Sequence, residues 1–261
     1  MSKGENIVDV VKNYGDLYRK IFIDKDYVDQ QDVNAIKFKS MIHIMDSEFE
    51  SSEWKACLLY FAEKFKGDLF YEFLLKIEKI FLESWVQSTR KDERFGVYSA
   101  ILKRIEIANN ANDALTTIQY DDAKIAKAVS ANNFYGSRYA KYFLLRLEIL
   151  ASEHDVYKEF NAKSIEHVFP QTPKVESEWA KDPDFREHKS IVNNIGNLVL
   201  LSKGKNSAAS NNDFLMKKEK YLKSRVSDYP RSIQIIAEDD WTIKKIKEKN
   251  DEIYRIILNN P

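Results

Sequence analysis

The chain has a single cysteine, Cys57, among its 261 residues. An intramolecular disulfide is therefore excluded, and with it the stapled architecture of many small secreted domains. No Cys-x-x-Cys pair exists, so a thiolate zinc site is excluded as well. Lysine plus arginine and aspartate plus glutamate stand at 41 each, so no excess of one sign advertises a polyanion, and any such signal must be local. No apolar run of signal-peptide length opens the sequence. None is long enough to cross a membrane either. The expected setting is a reducing cytoplasm without a membrane partner. Glycine is scarce, and no proline stands before Pro170. The residues that interrupt helices are thus nearly absent from the first part, which reads as long helices.

What that first part does contain is apolar residues at helical spacing. Over about 5–22 these are Ile7, Val8, Val11, Tyr14, Leu17, Tyr18 and Ile21. Asp32 is placed to cap a second helix with Ile36, Met41, Ile42 and Met45. Ser52 is placed to cap a third with Trp54, Leu58, Phe61 and Phe65. Gly67-Asp68 breaks the pattern before a long helix over about 69–86. Further stripes predict helices over about 95–108, 121–129 and 137–151, with Asn109-Asn110-Ala111-Asn112 as a loop. Bundle packing requires such stripes, so they need no ligand to explain them. Helical periodicity fades between 153 and 162. The expected fold is mainly α with a small α+β part: a helical bundle lobe over 1–155, then a second domain over 156–261.

The second domain opens on Ser164-Ile165-Glu166-His167-Val168-Phe169-Pro170-Gln171. Its β-branched and aromatic run predicts a short strand over 165–169, which Pro170 stops. A second apolar run, 197–202, follows Asn193-Asn194-Ile195-Gly196. Between them, 171–194 reads as an insertion with short helices near 176–180 and 185–192. Ser210 or Asn211 can cap a basic helix that reaches about 226, and Tyr229-Pro230 ends that element. Asp240 caps a final helix carrying Trp241, Ile246, Ile253 and Ile257. The order is strand, loop, strand, helix, with His167, Asn197 and Asn206 at the joints.

Phosphodiester hydrolysis needs a base for the attacking water and a cation for the charge on the leaving oxygen. Neutral histidine serves as the base, because its reference pKa lies near the working pH. Carboxylate and Asn oxygens suit Mg²⁺ or Mn²⁺. His167, Glu166 and Asn206 are of the right types, and Asn197 can bond backbone across the strands and fix where His167 points. One geometric condition attaches. Neighbours on a regular strand face opposite sides, so Glu166 and His167 meet one phosphate only if the strand bends; otherwise Glu166 is structural. Lys203, Lys205, Lys217, Lys218 and Lys220 crowd this region and predict phosphate contact. His43 falls in the bundle and His188 in the loop between the strands.

Together, Ile165-Glu166-His167-Val168-Phe169-Pro170-Gln171, Gly196-Asn197-Leu198-Val199-Leu200-Leu201, Asn206 and Asn211-x-x-Phe214-x-x-Lys217 resemble a known domain. It is the C-terminal nuclease domain of GmrSD-type restriction systems, an HNH (ββα-metal, His-Me finger) domain. The resemblance is strongest over 164–221. It implies a ββα-metal finger with a C-terminal helix, acting as a Mg²⁺-dependent endonuclease (Mn²⁺ also serving) that nicks DNA in bacterial restriction or anti-phage defence. By the same resemblance His167 is the general base and Asn197 steadies the finger. Glu166 and Asn206 hold the metal, and Lys203, Lys205, Asn211, Lys217 and Lys218 contact DNA. Members usually carry an N-terminal ParB-like nucleotide-dependent domain, which this sequence lacks; the expectation is a fragment or a stand-alone effector, with such a regulatory domain separate or missing. Two other readings stand beside this one: a catalytically degenerate finger that only binds DNA or a partner, and an HNH nuclease that cleaves RNA.

Overall fold

The computed structural model describes residues 7–160, 164–201, 212–222 and 229–259. Lys203, Lys205, Asn206 and Asn211 lie outside the described residues, as does the side chain of Lys220. The chain gathers into two compact units. The first takes residues up to 122 together with 154–159, and the second takes 123–153 and 160–260.

In the first unit α1 (Ile7–Tyr18) runs into a π-helical turn (Arg19–Ile23). After it come α2 (Ala35–Glu48), α3 (Glu53–Phe65), α4 (Phe70–Val86), α5 (Lys91–Ile107) and α6 (Ala111–Thr116). The apolar stripes of α2, α3 and α4 become its core, with Phe38, Met41, Trp54, Phe61, Phe73 and Ile77 wholly buried, whereas Ile7, Val8, Val11 and Tyr18 of the first stripe are exposed. Phe61 stacks on Phe73 at 3.9 Å, and Phe49 on Phe81 at 3.7 Å. Between α3 and α4 the chain passes through Gly67 at φ 95, where a glycine is needed. The Lys64 ammonium closes the end of α5, donating to Ile105 O, Glu106 O and Ala108 O at 2.7–2.8 Å. Part of the stretch expected as a loop is instead the start of α6. Asn110 Oδ1 accepts Asp113 N at 2.9 Å, so this Asn caps a helix and does not merely turn the chain.

The second unit holds α7 (Asp122–Val129) from its second residue on, and α8 (Ala140–Leu150). Then come β1 (Ser164–His167), short 3-10 turns at Glu178–Lys181 and Phe185–Glu187, α9 (His188–Ile191), a 3-10 turn at Ile195–Asn197 and β2 (Leu198–Leu201). It closes with α10 (Phe214–Leu222), α11 (Pro230–Ala237) and α12 (Ile243–Asn259). The strands pair antiparallel, Ser164 opposite Leu201 and His167 opposite Leu198. Every residue of β2 is buried, because α8 and α11 both pack against it. That explains an unbroken apolar run where a half-exposed strand would alternate. Ser232 Oγ of α11 donates to Leu200 O at 2.7 Å.

The element α11 overturns one expectation. Pro230 does not simply end the basic helix; it begins a new one, at a first-turn position where its fixed φ suits the helix and its missing N–H is not needed. The backbone of α12 lies directly on Gly196, where a Cβ would overlap Ile246 O and stand 2.7 Å from Asn250 N. Among the described residues no helix is long and apolar enough to cross a membrane.

Candidate active site

Asn197 is the knot of the site. Its Oδ1 accepts Phe169 N at 2.8 Å and Trp241 Nε1 at 3.1 Å. Its Nδ2 donates to Phe169 O and Val192 O, both at 2.8 Å. Both lone pairs and both hydrogens are therefore used, which a wholly buried amide requires. Asn197 O also accepts Val168 N at 3.0 Å. The chain leaving His167 is thus fixed at the next two residues.

The His167 ring sits with Nε2 2.9 Å from Asn193 Oδ1. The same oxygen accepts Gln171 Nε2 at 2.8 Å. An amide oxygen only accepts, so His167 Nε2 carries the hydrogen and Nδ1 keeps its lone pair. The Tyr135 ring meets the imidazole edge-on at 4.4 Å, and Tyr135 N donates to Asn193 O at 2.9 Å. Burial pushes the His167 pKa down to about 4, opposed by the Asn193 hydrogen bond and aided by nearby Lys217 and His188. The ring is accordingly neutral at pH 7. Asn193 and Gln171 stand within the motifs quoted above, but only the folded turn shows what they touch. Nothing in the sequence signals Tyr135. His188 is no free loop residue. It is buried between Phe169 and Phe185, and its Nε2 donates to Pro170 O at 2.8 Å.

Glu166 points the other way, as strand alternation demands. Its carboxylate takes the Lys217 ammonium at 2.7 Å, and Lys217 also donates to His167 O at 2.6 Å. Lys217 is 1% exposed, so the expected phosphate contact is corrected: this lysine is a buried strut beneath the strand. Burial lowers its pKa and the Glu166 carboxylate opposes that. Lys218 is only half-buried. Its ammonium donates to Glu238 O at 2.6 Å, just past the end of α11, and lies over the Phe214 ring. Among the described residues no group of three His, Cys, Asp or Glu gathers, and Glu166 is paired with Lys217.

A neutral imidazole with a free lone pair thus stands at the end of β1, in a frame of strand, loop, strand and helix. The family model of GmrSD restriction endonucleases, C-terminal domain, matches residues 118–256, and the chain belongs to that family. The family is one of restriction-endonuclease nuclease domains, for which DNA is the substrate class. No curated protein matches the chain.

Proposed function

We infer that the second unit hydrolyses DNA phosphodiester bonds as an HNH-type endonuclease of a restriction or anti-phage system. The carrying observation is the imidazole whose Nε2 is engaged by Asn193 Oδ1, leaving Nδ1 as the base. Nδ1 takes a proton from water, the hydroxide attacks phosphorus, and the 3′ oxygen leaves and is protonated from solvent. One such site cuts one strand per encounter, so nicking is the expected outcome. Asn197 holds the backbone beyond His167 and is a positioning residue. Mg²⁺ or Mn²⁺ would be held in part by Asn206 and by the substrate phosphate, and would stabilise the charge on the leaving oxygen. Glu166 serves as the counter-ion that fixes Lys217 under the strand.

Conversion of supercoiled plasmid to open circles, with Mg²⁺, with Mn²⁺ and with EDTA, tests this reading. Wild type should nick and His167→Ala should not, while both bind DNA alike. Binding without cleavage by wild type would leave a DNA-binding module. Equal cleavage by His167→Ala would remove His167 from the chemistry. Preference for RNA in parallel reactions would change the substrate.

A further inference from the structure

A cavity of about 560 Å³ opens in the second unit over a floor of Phe169, Trp179, Phe214 and Trp241. The four floor residues are buried, and both indole N–H groups are satisfied from inside. Trp179 Nε1 donates to Asn212 O and Trp241 Nε1 to Asn197 Oδ1, each at 3.1 Å. The indoles therefore have no hydrogen left to offer an occupant, which meets ring carbon. At the mouth the chemistry changes. Among the described lining residues, carboxylates come from Asp182, Asp213, Asp239 and Asp240, and Lys181 is taken by Glu178 at 2.7 Å. Asp240 pairs with Lys245, and Asp182 accepts Asp184 N and Ile243 N, so Asp239 and the second oxygen of Asp213 lead the acidic rim. Leu215 and Met216 extend apolar surface beyond the mouth, at 67% and 50% exposure. A second cavity of about 400 Å³ shares Asp213 and Met216 and continues the groove past Val175.

Apolar floor and acidic rim together select the occupant. A phosphate-bearing ligand is repelled by the carboxylates. A neutral apolar molecule leaves them unmatched. A small organic cation leaves Leu215, Met216 and the continuing groove uncovered. We propose that this groove docks a segment of a partner protein that inserts a large apolar side chain onto the aromatic floor, with lysine or arginine flanking it against the rim. Arginine suits the rim best, since it lies flat on aromatic faces and pairs with carboxylates. The floor is tied to the catalytic strand, because Trp241 and the Phe169 backbone share Asn197 Oδ1. Under the nuclease reading, a docked segment therefore also alters the nicking rate; docking itself does not depend on that reading.

Calorimetry on the full chain tests it, with the peptide acetyl-Lys-Phe-Arg-amide as probe and acetyl-Glu-Phe-Glu-amide as control. The basic peptide should bind saturably, roughly tenfold or more tighter than the acidic one, and should weaken as salt rises. Asp239→Lys and Leu215→Asp alter exposed side chains and leave the circular dichroism unchanged. Each should weaken the basic peptide roughly tenfold. No binding, equal binding of the two peptides, or indifference to both variants overturns the proposal. So does displacement of the peptide by a short DNA duplex, which would give the groove to nucleic acid. Peptide binding without any nicking activity would keep the docking site and remove the nuclease reading.

Discussion

Asn193 holds His167 as a carboxylate would, but adds no charge. It fixes the tautomer through Oδ1 while burial keeps the ring pKa at about 4. Under the proposed nuclease reading, a base already neutral at pH 5 should give a nicking kcat/KM whose acid limb falls near pH 4 and not near 6.5. Asn193→Asp places a carboxylate on Nε2–H, which raises the pKa and should move that limb toward neutrality. Asn193→Ala should lower kcat about tenfold to a hundredfold with KM unchanged, since it frees the tautomer and leaves the surface alone. His167→Gln should lose roughly 10²–10⁴ in rate, the usual contribution of a base. Plasmid nicking measured across pH 4–8 checks all three variants. An acid limb near 6.5 in wild type would mean that the buried ring is not the group titrating. His167 was singled out in the sequence by the family pattern around it, Glu166-His167-x-x-Pro170-Gln171 together with Asn197 and Asn206. The role of Asn193 was not, because it arises only when the turn before Gly196 folds back over β1.

The frame around β1 depends on a buried pair and a missing side chain. Glu166 and Lys217 meet at 2.7 Å with exposures of 8% and 1%. Removing one partner strands the other charge, so Lys217→Met should destabilise the chain by about 3–5 kcal/mol. Glu166→Gln with Lys217→Met should recover most of that, which urea midpoints of the single and double variants will show. If Lys217→Met costs nothing, the pair is not the strut inferred here. Gly196→Ala pushes a methyl into α12 and should cost on the order of 3 kcal/mol. The two strands, the basic helix and α12 were readable from β-forming runs and helical stripes, but the cap of α12 was not, since Thr242 Oγ1 and not Asp240 accepts Lys245 N at its start. Lys217 was misread because a lysine on a basic helix usually lies in solvent, and no local pattern shows that a carboxylate on another element awaits it. The helix α11 was missed because proline stops one helix and starts another with the same ring. Why the Glu166 face is charged at all has a physical answer in Lys217. The sequence alone left two answers open.

Across the second unit two buried titratable groups pull stability in opposite directions. Glu148 on α8 is wholly buried, and burial raises its pKa to about 7, only partly offset by the Arg231 guanidinium and its backbone N–H. Unfolded, it titrates near 4.5. Between those values the folded chain keeps a proton that the unfolded chain has released, so stability falls as pH rises from 4.5 to 7 and then levels. The full loss is on the order of 3 kcal/mol. His167 does the reverse. Its folded pKa of about 4 lies below the unfolded 6.5, so stability rises as pH climbs from 4 to 6.5. The two slopes should nearly cancel in wild type from about pH 4.5 to 6.5, with a decline above that range from Glu148 alone. Each substitution should unmask the other group. Glu148→Gln should give a chain whose stability climbs from pH 4.5 to 6.5 and stays level at 7.5. His167→Gln should give one that declines steadily from pH 4.5 to 7. Urea denaturation of the three proteins at pH 4.5, 5.5, 6.5 and 7.5 measures these slopes directly. Parallel curves for all three would mean that neither group titrates as its burial requires.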